Sequence, residues 1–307
     1  EEARVVLVAR GLVDLGLPSE LGVDGLHAQA LAVYADCAFV QGNFPEAIRR
    51  AEQSLQMARG FSDQRLEALS LYFLGEYTQA QGNVERGAPL LEQSLAISRA
   101  LGDKIGQADA LMWLSNSDRD KEIDYARESL RLHRELGNLS GISESLISLA
   151  GLYLQMGDFS SPAPWLEEAI AISRQLGNHS SAWALQRFGK LAYWQGDYKL
   201  ANEYYEETLV LCELTGNHLL RLWVFADRAY TILRLGDIQL AHEIFEESIP
   251  HMQKADLMAG VVYAIEGLAS LNVHQQQQPE RSTRLFAWAD ATREKLGIQR
   301  LPLDQAS

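Results

Sequence analysis

Cysteine is nearly absent from this 307-residue chain, with Cys37 and Cys212 the only two. They form no CxxC or comparable spacing, which excludes a disulfide framework and a thiolate metal site. Both fall in helical patterns, as buried free thiols would in a reducing cytoplasm, the expected location. Proline is scarce, glycine is scattered as turn punctuation, and no run has the look of a strand, which leaves the all-α class. No apolar run approaches the ~20 residues needed to cross a bilayer, and no secretory leader pattern is visible, so no membrane association is expected. Basic residues are outnumbered, 27 Lys+Arg against 41 Asp+Glu, for a formal charge of −14. Direct nucleic-acid binding needs a cationic face that releases counterions, and this balance argues against it.

Signs of chemistry are equally few. There is no GxSxG, no HExxH and no Gly-rich phosphate loop. The seven histidines are dispersed. His242 and His251 flank an acidic helical stretch but stand nine residues apart, about 13 Å along a helix axis, too far to share a metal. The carboxylate pairs Glu167–Glu168, Glu206–Glu207 and Glu246–Glu247 recur at one position of successive units, which is a repeat consensus and not a unique acid–base pair. No catalytic residue, metal ligand or cofactor is expected, and the chain reads as a non-enzyme.

What is present is repetition. The stretch GDFSSPAPWLEEAIAISRQLGN, from Gly157 to Asn178, has close copies beginning at Gly42, Gly82, Gly196 and Gly236. The spacings Gly42 to Gly82 and Gly196 to Gly236 are both 40 residues. Each copy carries a Gly-Asp/Asn turn, an apolar stripe at helical spacing, and a Leu-Gly-Asn/Asp type of stop. Placing one helix before and one after each hinge glycine predicts pairs at 26–41 and 44–59, 64–81 and 84–101, 139–156 and 159–176, 179–195 and 198–215, and 218–235 and 238–254. Short connections make the pairs antiparallel. The third unit is shortened, with Ser115–Asp120 in place of the hinge, which is expected to bend the superhelix locally. A last unit spans 259–300 around a Gln-rich turn, and 301–307 is a tail. An amphipathic helix over residues 1–16 and a loop to Gly25 precede the array. The expected architecture is a right-handed α-solenoid of about seven helix pairs plus an N-terminal helix, one domain over 1–307. Because residue 1 is already inside a helical pattern, the chain is expected to be part of a longer protein.

Small residues seven before the hinge (Ala35, Gly75, Ala150, Gly189, Ala229), the hinge itself, a large residue two after its glycine (Phe44, Val84, Phe159, Tyr198, Ile238) and a small one three later (Ala47, Gly87, Pro162, Ala201, Ala241) resemble the tetratricopeptide repeat. The small positions let paired helices approach closely and the large ones fill the gap to the next unit. The unit is longer than the 34-residue form and is similar to the 40-residue subclass. The closing segment from Arg284 to Gly297, followed by Leu301-Pro302, resembles the end of the repeat region in bacterial signal-transduction ATPases with numerous domains. That resemblance implies a partner-sensing region of a larger signalling or transcriptional regulator.

In this repeat class the first helix of each pair lines the concave surface. Residues thirteen, ten, six and three before each hinge are therefore the candidate groove: Tyr72, Glu76, Gln79, Asn116, Glu144, Trp183, Gln186, Lys190, Tyr193 and Trp223. Arg187, Arg221, Arg228 and Arg234 lie on the same helices. The groove is expected to be acidic toward the N-terminal half and basic-aromatic toward the C-terminal half, suited to a protein or peptide partner in extended form. The two-Lys, two-Asn carboxylate clamp of some chaperone-binding members is not reproduced. A metabolite receptor with its pocket inside the superhelix is the alternative. Terminal repeats can also pair with those of a second copy, which allows a homodimer.

Overall fold

The computed structural model describes residues 23–117, 121–176, 181–274 and 279–296, which form fourteen helices and, among these residues, no strand. They pair in sequence: α1 (Val23–Val40) with α2 (Phe44–Gly60), α3 (Gln64–Ala80) with α4 (Val84–Leu101), α5 (Lys104–Leu114) with α6 (Glu122–Leu136), α7 (Leu139–Gln155) with α8 (Pro162–Leu176), α9 (Ser181–Trp194) with α10 (Tyr198–Thr215), α11 (His218–Arg234) with α12 (Ile238–Lys254), and α13 (Met258–His274) with α14 (Pro279–Leu296). This is the right-handed solenoid of seven pairs that the repeat spacing predicts. The proposed helix at 1–16, part of the third unit's turn, the Gln run at 275–278 and the 301–307 tail lie outside the described residues.

Each hinge works by two local devices. At Gly196 the backbone turns left-handed, with φ of 84°, a conformation that costs a side-chain-bearing residue but not glycine. Asp197 then caps α10, its side chain accepting from the Leu200 amide, which satisfies an amide the helix start would leave orphaned. The same cap recurs at Asn43, Asn83, Asn138, Asn217 and Asp237. Two boundaries differ from the spacing. Val23–Gly25 belong to α1 instead of a loop. Helix α8 begins at Pro162, not Phe159, because Asp158 Oδ1 accepts from the Ser160 and Ser161 amides and holds a turn there. Proline then opens the helix, where its missing N–H costs nothing.

Close packing explains the small residues. A Cβ on Gly75 would lie 2.6 Å from Leu91 Cγ, and one on Gly87 would lie 2.8 Å from the Gly75 carbonyl oxygen. Helices α3 and α4 therefore cross with almost no side chain between them. Gly189 serves α9 and α10 alike, since a Cβ there would meet Tyr205 Cε1 at 2.4 Å. Buried serines bridge helices: within units, Ser54 Oγ donates to the Ala28 carbonyl at 2.9 Å and Ser94 Oγ to the Ala68 carbonyl at 2.7 Å, and between units Ser54 Oγ sits 2.8 Å from Ser70 Oγ. Ser54 and Ser94 are the Ser of the recurring Glu-Gln-Ser-Leu, so that part of the consensus records packing.

The superhelix closes on itself. The turn at Gly42 lies against Leu219 and Ala255, helix α1 touches α11, and Gln81 Nε2 donates to Asp256 Oδ2 at 2.6 Å. One buried apolar cluster runs from α1–α6 across this contact into α11–α13. The first units thus meet the sixth and seventh after one turn, and the inner helices surround an axis.

Candidate functional site

Successive odd-numbered helices touch one another, and the even-numbered helices pack onto them from outside. The concave wall is therefore built from α1, α3, α5, α7, α9, α11 and α13. Polar side chains on neighbouring inner helices meet at a spacing of 41 residues, one more than the repeat. Tyr77 Oη donates to Asp36 Oδ1 at 3.5 Å, Gln186 Nε2 to Asp227 Oδ2 at 2.6 Å, and Arg234 Nε to Tyr193 Oη at 3.4 Å.

The N-terminal part of the wall is closed. Tyr72, Glu76 and Gln79 of α3 are 9, 2 and 7% exposed. Tyr72 packs on Phe73, and Gln79 donates to Ser117 Oγ at 2.6 Å. Tyr77 stacks between Phe39 and Phe73, with ring centroids 4.6 and 5.7 Å away. Asp36, on the same wall, is buried as well. The Glu76 carboxylate, placed in an acidic groove by the sequence, is thus withdrawn between helices. Asn116, after α5, is exposed. Glu144 of α7 is half-buried and accepts from Ser140 Oγ at 3.3 Å.

The C-terminal part is organised around Asp227, a residue the spacing rule passes over. Asp227 is buried on α11 and receives both Gln186 Nε2 and, at 3.2 Å, the Lys190 ammonium from α9. Lys190 and Gln186 are thereby held on the wall by a partner on the next helix. Scanning for complementary polar pairs at repeat length plus one would have found Asp227. Tyr193 is half-buried, edge-on to Trp194 and Tyr198. Burial pushes its hydroxyl pKa up, and the Arg234 hydrogen bond partly offsets that. Beneath the wall, burial raises the Tyr205 hydroxyl well above the usual range.

Trp183 is half-buried between the α7–α8 core and the α10–α11 core, and Trp223 packs against the large core cluster. Both tryptophans thus have packing partners while keeping part of their surface open. Arg221 lies over the Phe225 ring at 5.3 Å. Arg228 turns outward instead, to Asn202 Oδ1 at 3.0 Å and Glu206 Oε1 at 2.8 Å of α10. Trp165 packs edge-on against Tyr153, and Trp194 stacks with Phe159. Trp288 is 40% exposed. Among the described residues no cluster of three His, Cys, Asp or Glu side chains is placed to hold a metal, and no helix is long and apolar enough to cross a membrane.

A tetratricopeptide-repeat family model matches residues 26–100 and 179–254. The chain is a tetratricopeptide-repeat protein. No curated protein matches it. Among solved structures it is similar to a Rap protein complexed with competence and sporulation factor, with 15% identity, 98% of this chain and 82% of that one covered, and a TM-score of 0.74. It is also similar to NprR in complex with its cognate peptide NprX, with 14% identity, 99% and 90% covered, and a TM-score of 0.66. A third is a signal-transduction ATPase with numerous domains from Pyrococcus horikoshii that has a tetratricopeptide-repeat sensor, with 16% identity, 87% and 42% covered, and a TM-score of 0.50.

Proposed function

We propose that the chain is a non-catalytic scaffold whose concave wall takes an extended peptide, and that it serves as the partner-sensing region of a larger bacterial signalling or transcriptional regulator. The observation that carries this reading is the α9–α11 wall. There Lys190 and Gln186 are fixed by buried Asp227, while the half-open Trp183, Tyr193 and Trp223 offer apolar surface beside them. Rigid aromatic surface next to oriented polar groups is what peptide anchors use. The similar NprR structure was obtained with its cognate peptide and the similar Rap structure with competence and sporulation factor, and the sensor of the similar ATPase is built from the same repeat. We further take the seven pairs as one domain, working in the reducing cytoplasm that suits two free thiols.

The test is a positional-scanning hexapeptide array probed with the labelled chain. Defined residue preferences at two or more positions are expected, and the double variant Trp223→Ala/Lys190→Glu should lose them. Retention of every preference in that variant would remove the α9–α11 wall as the binding surface. A thermal-shift screen of metabolites that stabilised the chain while the array stayed blank would favour a small-molecule receptor instead.

A further inference from the structure

We propose that Arg187 binds a carboxylate carried by the ligand, so that the peptide is acidic at the residue passing α9. This rests on the concave-wall reading above and specifies the chemistry of its partner.

Arg187 is half-buried, and its Nε is fully buried with no hydrogen-bond partner. No carboxylate among the described residues lies within ion-pair distance of it, although Asp227 is near enough to act on it through space. Asp227 does not serve it directly: one carboxylate oxygen accepts from Gln186 and the other faces the Lys190 ammonium. Burial accordingly lowers the Arg187 pKa, and the Asp227 charge only partly offsets that. A guanidinium stays ionised all the same, so the wall carries a partly desolvated cation with no ion-pair partner of its own. Such a group is costly to a fold that has no use for it, and a ligand carboxylate would repair the deficit.

The guanidinium is also held in place. It lies over Gly151 of α7, where a Cβ would come within 3.1 Å of Nε and 3.2 Å of Cζ. The absent side chain leaves a flat seat for the planar group, which reduces what ligand binding must order. The neighbouring Gln186 Oε1 is likewise buried without a donor. Cations outnumber the one buried carboxylate, Asp227, among the named residues of α9 and α11. Arg187, Arg221 and Arg234 have no ion-pair partner among the described residues, and Lys190 has only Asp227. This cationic strip sits inside a chain whose formal charge is −14, so an acidic ligand is repelled by the exterior and attracted to this strip.

The array distinguishes this proposal from the reading beneath it. Asp or Glu should be enriched over Asn or Gln at one position on the order of tenfold, the size of a charge-assisted hydrogen bond. Arg187→Gln should abolish that enrichment while leaving preferences at other positions, and Arg187→Lys should restore part of it. The melting temperature of Arg187→Gln should not fall, because the variant removes an unpaired buried charge. A clear drop would mark a structural role and overturn the proposal. Positional preferences without acid enrichment, or enrichment that survives Arg187→Gln, would overturn the Arg187 assignment while leaving the concave-wall reading intact. A blank array would remove both. Repeating the array with amidated peptides separates a C-terminal carboxylate from an acidic side chain, either of which supports the proposal. Stabilisation by free glutarate on a blank array would overturn the peptide as its carrier.

Discussion

On α3, residues ten, six and three before the hinge are Tyr72, Glu76 and Gln79, all buried, with Gln79 bonded to Ser117 of the next unit. On α9 the equivalents are Gln186, Lys190 and Tyr193, bonded to Asp227 and Arg234 of the next unit. Both inner helices therefore use these positions to hold their neighbour. They differ in what is left over. Around α3 the aromatic stack of Phe39, Tyr77 and Phe73 fills the wall, whereas α9 keeps Arg187 with its Nε unbonded and tyrosine and tryptophan surface half-open. A polar residue on the concave face is thus weak evidence for a ligand, and an unbalanced one is stronger.

The framework beneath both walls should be equally intolerant. Gly75→Leu and Gly189→Leu each place a side chain where Leu91 or Tyr205 already stands, and overpacking of this kind costs about 3 kcal/mol. Urea denaturation should show both losses, and a large difference between them would mean that the two units are not packed alike. Next in size, Asp227→Ala strips a buried partner from Gln186 and Lys190 and should cost about 2 kcal/mol, since Lys190 keeps some access to water. Arg187→Gln, by contrast, should stay within about 0.5 kcal/mol of the parent, so the pair separates the residue that holds the wall from the one left free on it. Below the Asp227 loss, Tyr77→Phe deletes the buried hydroxyl contact to Asp36 at about 1 kcal/mol, and Tyr193→Phe should cost less, about 0.5 kcal/mol, because its bond to Arg234 is partly solvated. The least perturbing probe is thiol labelling. Cys212 is buried and its thiol pKa is pushed up to about 12 by that burial, while Cys37 is partly accessible. At pH 8 the Cys212 thiolate is nearly unpopulated, so an aromatic disulfide reagent should titrate one thiol in the native protein and two in guanidinium. Two fast thiols in the native state would show that the α10 core is open.

Most helix pairs were legible because the chain spells five of the hinges with a left-handed glycine followed by Asp or Asn. Those signals act within four residues and need no tertiary context. The late start of α8 was not, since nothing in the spacing shows that Asp158 captures the Ser160 and Ser161 amides. The site was only partly legible for a different reason. Repeat register gives which side of a helix faces inward, and it put Gln186 and Lys190 on the right wall. It cannot give the tilt between successive units, which sets the 41-residue offset and so decides that Asp227, not a residue 40 away, meets Gln186. Glu76 and Asp36 are buried, so these two carboxylates of the acidic half present no charge at the surface, whereas Glu144 is half-buried.

The direct measurement is hydrogen–deuterium exchange of the chain with and without the hexapeptide that the array selects. The account predicts that binding slows exchange over 181–194 and 218–234, the inner helices of the fifth and sixth units, and leaves 64–80 unchanged. Protection centred on 64–80, or on the outer helix 198–215 alone, would contradict it.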